Sequence, residues 1–307
     1  MKSRYTGIDI CRLVFACLIP LLHISLPPSV PLYIVRQYVS RLGVPFFFAV
    51  SGMFLSKAIA GKGNLTAMKK QLRRIGVMLC LWFCIYAPLF SRGRYTINEY
   101  LFLTPGYLWY LNAMLFALLP FCLIKDERVK HGIALILYIA GTFFGGNYQW
   151  LSGGGTGWYA KIFLSTRNGL FFAFPLMCVG EMAWEAKDST RKLLIAAGLL
   201  FAEITFVGAH VSNDVDRSMY FCLPLFTLYF ISAVRKWNPK IPKADLAGYS
   251  SAIYLMQYGL IWAGGKVLGV LQLTNLYWNW AVYILVLIAP VIFYWLIRNR
   301  KVAKILF

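Results

Sequence analysis

The segment GIDICRLVFACLIPLLHISL, Gly7 to Leu26, decides how this chain is read. It has the length and apolar character of a helix that crosses the ~30 Å hydrocarbon layer of a bilayer. Yet it carries Arg12 and His23. An α-helix turns about 100° per residue, so the eleven steps between them come to ~20° past three full turns. A continuous helix therefore puts both side chains on one face, roughly 16 Å apart along the axis. Ionisable groups at membrane depth are costly, and they face a protein interior or a watery cavity. A guanidinium at one level and an imidazole at another, on one stripe, mark a path with chemistry at its end.

The rest of the chain extends this reading. It is 60% hydrophobic and 14% charged, with a mean hydropathy of +0.63, whereas soluble domains carry roughly 25% charged residues. Ten apolar spans are expected at 7–26, 37–56, 75–91, 106–123, 131–147, 168–185, 193–210, 218–234, 246–268 and 277–297. The fold class is all-α, a polytopic membrane protein of about ten transmembrane helices, with one domain over 1–307. The net charge of +20 does not point to nucleic acid, because topology accounts for it. With the N-terminus inside, the inner segments hold 22 lysines and arginines and the outer ones 8, Arg12 being the remaining one. That asymmetry follows the positive-inside rule and places both termini in the cytoplasm.

The seven cysteines all fall in apolar runs, an odd number that argues against a disulfide framework. Cys80 and Cys84 are four apart but have no histidine or further cysteine near them in sequence, so no metal site is expected. The first span is not a removable signal peptide: Arg12 interrupts it, and Leu26-Pro27-Pro28 is no small-residue cleavage site. The loop from Tyr148 to Arg167 holds Gly153-Gly154-Gly155-Thr156-Gly157 between Trp150 and Trp158. This is either a sugar-sized groove or a flexible loop with interfacial tryptophans. No lysine follows in the phosphate-loop pattern, and no internal repeat of the transporter kind is evident.

Several motifs, in order, resemble one family. Ile8-Asp9-Ile10-Cys11-Arg12-Leu13 with His23 after ten further residues resembles the Arg-ten residues-His signature of the acyltransferase-3 family of integral membrane acyltransferases. Val44 to Leu55, with Ser51-Gly52-Met53, resembles its second-helix motif, where Phe is usual in place of Met53. Lys70-Gln71-Leu72-Arg73 stands at its Arg-x-x-Arg position, Leu108-Trp109-Tyr110-Leu111 at its Leu-Trp-Phe-Leu element, and Arg167-Asn168-Gly169 to Gly180 at a sixth helix. Ser250 to Leu255 matches the start of a ninth-helix motif, after which many members have His where this chain has Gln257.

The resemblance implies ten helices and transfer of an acetyl group from acetyl-coenzyme A to a carbohydrate or lipid-linked glycan at a bacterial inner membrane. Membrane lipids are the surroundings, and no tightly bound cofactor is expected. On this reading Arg12 binds the coenzyme and its arm lies along the first helix, whose ~16 Å is comparable to an extended pantetheine at about 3.3–3.6 Å per residue-length. His23 is the catalytic base, or alternatively the acyl-accepting nucleophile. Asp9, three residues before Arg12, is placed to offset its charge. Lys70, Arg73 and Arg74 are expected to hold coenzyme phosphates, with a topology anchor near anionic lipid headgroups as the alternative, and Trp109 and Arg167 to bind the acceptor, Trp109 having core filling as its alternative. Glu99, Asp214, Asp216, Glu203 and Glu181 are the acids from which a partner for His23 would come, and His210 reads as a surface-loop residue. The rival is transport of a small polar solute, since a similar membrane module is fused to serine racemases in glycopeptide-resistance systems.

Overall fold

The computed structural model describes residues 5–90, 99, 107–145, 147–148, 163, 165–187, 189–211, 217–240 and 245–307. Its regular elements are helices: α1 (Thr6–Leu18), α2 (Val30–Ile34), α3 (Gly43–Lys62), α4 (Asn64–Phe90), α5 (Trp109–Leu123), α6 (Glu127–Phe144), α7 (Phe174–Glu185), α8 (Thr190–His210), α9 (Leu223–Lys236), α10 (Leu246–Val270), α11 (Asn279–Ile297) and α12 (Ala303–Leu306). No strand occurs among the described residues. Each of the ten expected spans coincides with a helix or a run of helical pieces. Four stretches, Val30–Lys62, Asn64–Phe90, Thr190–His210 and Leu276–Ile297, are long and apolar enough by themselves to cross a membrane. The others fall short of that measure because they are brief, as at the 12 residues of α7, or because polar and charged residues dilute them, as at Glu127, Arg128 and Lys130 in α6 and at the glycines, serines and Gln257 of the 25-residue α10.

Local chemistry sets the element ends. Asp126 caps α6 by accepting from the backbone N–H of Arg128 at 2.9 Å and Val129 at 3.0 Å. Asn168 accepts from Leu170 and Phe171 at 3.0 and 3.1 Å, starting the wide turn Gly169–Ala173 that leads into α7. Outward faces carry large apolar side chains: Ile136 is 68% exposed, Leu194 66% and Leu296 60%. Such faces suit lipid and would be unfavourable in water.

The inner packing is tightest where α3 crosses α7. A Cβ on Gly52 would run into the carbonyl of Met177, and one on Gly180 into the carbonyl of Ala49. The two glycines thus let backbone meet backbone, the use that small residues have between membrane helices. α1 is held inside by α3, α9 and α10. Its Ile8 and Phe15 pack with Phe46, Val50, Met53 and Ile231, and the Gly7 N–H donates to the Trp237 carbonyl at 3.1 Å.

Candidate functional site

A cavity of about 760 Å³ opens between α3, α4, α5, α10 and α11 and reaches α1. Its lining includes five cations, Arg12, Lys62, Lys70, Arg74 and Arg298. Lys70 and Arg74 are four residues apart on α4, so one helix face presents both. Arg73 is the exception to the expected cluster. One residue before Arg74 is a 100° rotation on a helix, and its exposed side chain leaves the cavity wall. Lys62 and Arg298 were not anticipated; they stand at or just beyond the ends of α3 and α11, and the chain fold alone brings them beside Lys70.

Arg12 is half-buried, whereas the other four of these cations are exposed. Its guanidinium is 3.6 Å from the Asp9 carboxylate, the expected i,i+3 pair, and lies 5.2 Å from the centre of the Phe54 ring. The Arg12 carbonyl accepts from the Ser250 hydroxyl at 3.1 Å, which pins α1 to α10 at this level. Asp245 is also on the cavity wall, and its carboxylate is engaged by the Tyr294 hydroxyl and, at 3.1 Å, by the Gly248 N–H.

Beyond Arg12 the lining turns to hydroxyls and rings. Ser51 and Tyr110 bring their oxygens within 3.4 Å of each other. The Tyr110 ring is 5.5 Å from that of Tyr254, and the Tyr254 hydroxyl donates to the carbonyl of Tyr107. Tyr107 has φ +62°, in the left-handed region that bulky side chains rarely adopt. Its ring stacks on His23 at 3.8 Å between centres and 20° between planes. A contiguous set of contacts thus leads from the cavity wall at Tyr254 to the imidazole. Tyr107, one residue before the Leu108–Leu111 element, was missed in the sequence, and Tyr254, inside the Ser250–Leu255 motif, was given no role, because aromatic residues are abundant throughout.

His23 does not sit where a continuous α-helix would put it. Pro20 has no N–H to give to the Ala16 carbonyl and its ring obstructs that bond, so α1 stops at Leu18 and a 3₁₀ turn runs from Ile19 to Leu22. His23 closes that turn, its N–H donating to the Pro20 carbonyl at 3.0 Å. The tighter winding adds roughly 20° and 0.5 Å per residue, rotating His23 about 100° from the straight-helix position and stretching the axial separation from Arg12 to about 19 Å. The expectation of one shared face is corrected accordingly; His23 is linked to the cavity through Tyr107.

The guanidiniums of Arg167, Arg41 and Arg36 are near enough to His23 to act on it electrostatically. Arg167 also lies 4.5 Å from the Trp109 ring centre, so the two expected acceptor-binding residues are together at the His23 end and apart from the cavity lining. Among the described residues no carboxylate hydrogen-bonds the His23 ring. Glu203 instead accepts from the backbone N–H of Phe221 and Cys222 at 2.6 and 2.8 Å, at the start of α9. Glu181 is held by Lys130 at 2.7 Å and His131 at 3.0 Å. His131, Cys178 and Glu181 have ligand atoms within 4.8 Å of one another, but the Lys130 ammonium already occupies that carboxylate. His210 is exposed and its ring meets the Phe206 carbonyl at 2.8 Å. The Gly153–Gly157 cluster with Trp150 and Trp158, and Asp214 and Asp216, lie outside the described residues.

Comparison with known proteins agrees with the motif reading. A family model described as an acyltransferase domain, of the third such family, matches residues 5–298. An amino-acid racemase of Enterococcus faecalis is 25% identical over 299 residues, covering 83% of this chain and 41% of the relative. A second amino-acid racemase of that organism is 32% identical over 216 residues, covering 62% and 30%. A serine/alanine racemase of Enterococcus gallinarum is 24% identical over 287 residues, covering 78% and 38%. The chain thus spans about two fifths or less of the length of these relatives. No solved structure matches.

Proposed function

The chain belongs to the acyltransferase-3 family, and from that premise we propose that it moves an acyl group, acetyl in the first instance, from acyl-coenzyme A to a hydroxyl of an envelope or exported carbohydrate. The observation that carries this reading is the cavity itself. Lys62, Lys70, Arg74 and Arg298 offer charge-assisted contacts for the phosphates of a coenzyme. Arg12 continues the positive wall inward, and the Ser51–Tyr110–Tyr254–Tyr107 contacts lead on to the imidazole of His23. By charge asymmetry the cationic end is cytoplasmic, where the coenzyme is made, and the His23 end faces the outside.

The reaction needs a base and a leaving thiol. As the acceptor oxygen attacks the thioester carbonyl, His23 takes the hydroxyl proton, the carbon–oxygen bond forms and the carbon–sulfur bond breaks. The proton then passes to the departing thiolate, leaving free coenzyme A and an ester. Arg167 with Trp109 presents a cation on an aromatic face at this end, a combination suited to a sugar ring bearing polar or anionic substituents. Incubating the purified protein with radiolabelled acetyl-coenzyme A and envelope glycans tests the reading. Label in the glycan supports it; absence of label, with the protein folded and coenzyme A bound, removes the transfer step.

A second reading rests on the racemase relatives. These relatives are named as racemases of amino acids, in one case of serine and alanine, so a membrane segment akin to part of them fits passage of a small solute of that class, with Arg12 and His23 as pathway residues. Flux of a radiolabelled amino acid into proteoliposomes, without acyl transfer, would favour that reading over the first.

A further inference from the structure

Gln257 is fully buried, at 0% exposure, on α10. Among the described residues, neither its amide oxygen nor its amide nitrogen has a hydrogen-bond partner. A primary amide offers two donors and an acceptor with two lone pairs, and leaving such groups dry and unpaired is costly. An orphan of this size inside a packed bundle needs an explanation.

Its position supplies one. Ser250, which binds the Arg12 carbonyl, is seven residues earlier, so Gln257 shares its face of α10 to within about 20° and lies about 10.5 Å further along. Ile261, four residues later on nearly the same face, belongs to the cluster of Leu21 and Ile24 that flanks His23. Gln257 is therefore directed toward α1 at a level between Arg12 and His23. One turn before it is Tyr254, which both lines the cavity and holds Tyr107 against His23.

Resting on the donor reading above, we propose that Gln257 pairs with a secondary amide of the pantetheine arm as the thioester reaches from Arg12 toward His23. The chemistry is complementary. Each amide of that arm presents one N–H and one C=O, and a glutamine side chain meets both at once. Neither phosphate nor the acyl carbonyl would satisfy the donor and acceptor of Gln257 together.

The test uses the full chain in detergent and three probes: coenzyme A, adenosine 3′,5′-bisphosphate, which lacks the arm, and thermal unfolding of the unliganded protein. Gln257→Leu keeps the volume and removes both polar groups; Gln257→Glu keeps the shape and removes the donor. Expected for Gln257→Leu is roughly 10- to 100-fold weaker binding of coenzyme A, unchanged binding of the bisphosphate, and an unfolding temperature equal to or above that of wild type. Gln257→Glu is expected to weaken coenzyme A as well. Equal affinity of wild type and Gln257→Leu for coenzyme A overturns the inference while leaving the donor reading intact. A lowered unfolding temperature with both ligands weakened alike also overturns it, since that is the mark of a structural amide bridged by water. Failure of wild type to bind coenzyme A at all is the distinct result that removes the donor reading.

Discussion

At one end of the path along α1, cations from several helices surround an open cavity of about 760 Å³; at the other, the His23 imidazole lies flat on one tyrosine ring, with the guanidiniums of Arg36, Arg41 and Arg167 near it but no such cavity. The first region is built from long side chains on several helices, such as Lys62 and Lys70, both exposed. The second is built from groups with one geometry each: Pro20 fixes the turn before His23, and Tyr254 holds Tyr107 at positive φ. Redundant charge suits capture of a polyanion from water. A unique, packed contact suits a step in which one proton moves between defined atoms. The difference predicts that substitutions at the His23 end act on turnover and those at the cavity end act on affinity.

The largest effect belongs to His23→Ala. Loss of a positioned base lowers acyl transfer by about 10²–10⁴-fold, with coenzyme A binding retained; calorimetry alongside a transfer assay reads both, and a variant that still transfers at the wild-type rate breaks the distinction between the ends. Arg12→Ala comes next, with coenzyme A binding weakened by roughly 10- to 100-fold, the scale of a charged hydrogen bond. Arg12→Lys keeps the charge beside Asp9 but loses the forked donor. It is expected to bind less well than wild type and better than Arg12→Ala, so unchanged affinity in both variants would take Arg12 out of the donor site.

Lys70→Ala and Arg74→Ala sharpen the comparison at smaller scale. Each is one of several cations on the wall, and each is expected to weaken coenzyme A binding only a few-fold, by an amount that shrinks as salt is raised. Titrations at low and high ionic strength check this. Arg73→Ala, whose side chain points away from the cavity, is expected to change binding least. An effect of Arg73→Ala equal to that of Arg74→Ala would mean that general surface charge, rather than the cavity, captures the ligand.

Much of this arrangement is legible along the chain, and the parts that are not have physical reasons. Hydropathy and the placement of lysine and arginine locate helices at all ten expected spans, because each apolar run must form its backbone hydrogen bonds internally. The pairing of Asp9 with Arg12 follows from helix spacing alone. The rotation of Arg73 away from Lys70 and Arg74 follows from the same 100° step, which a count of nearby charges overlooks. Pro20 stood in plain view and signals the end of α1, yet the apolar run around it masks the change to a tighter turn. The meeting of Lys62 with Arg298, the stacking of Tyr107 on His23 and the orphan amide of Gln257 depend on how distant helices pack. No periodicity within one segment records that.

The most direct test of the central claim, that the donor enters at the cationic cavity and the acyl group leaves at the His23 end, is sidedness. The protein is reconstituted in sealed vesicles of known orientation, with radiolabelled acetyl-coenzyme A on one side and envelope glycan on the other. The account predicts labelled glycan only when the donor is on the side of Lys70 and Arg74 and the acceptor on the side of His23, and none for His23→Ala. Equal labelling with donor and acceptor exchanged, or labelling that survives His23→Ala, would contradict it.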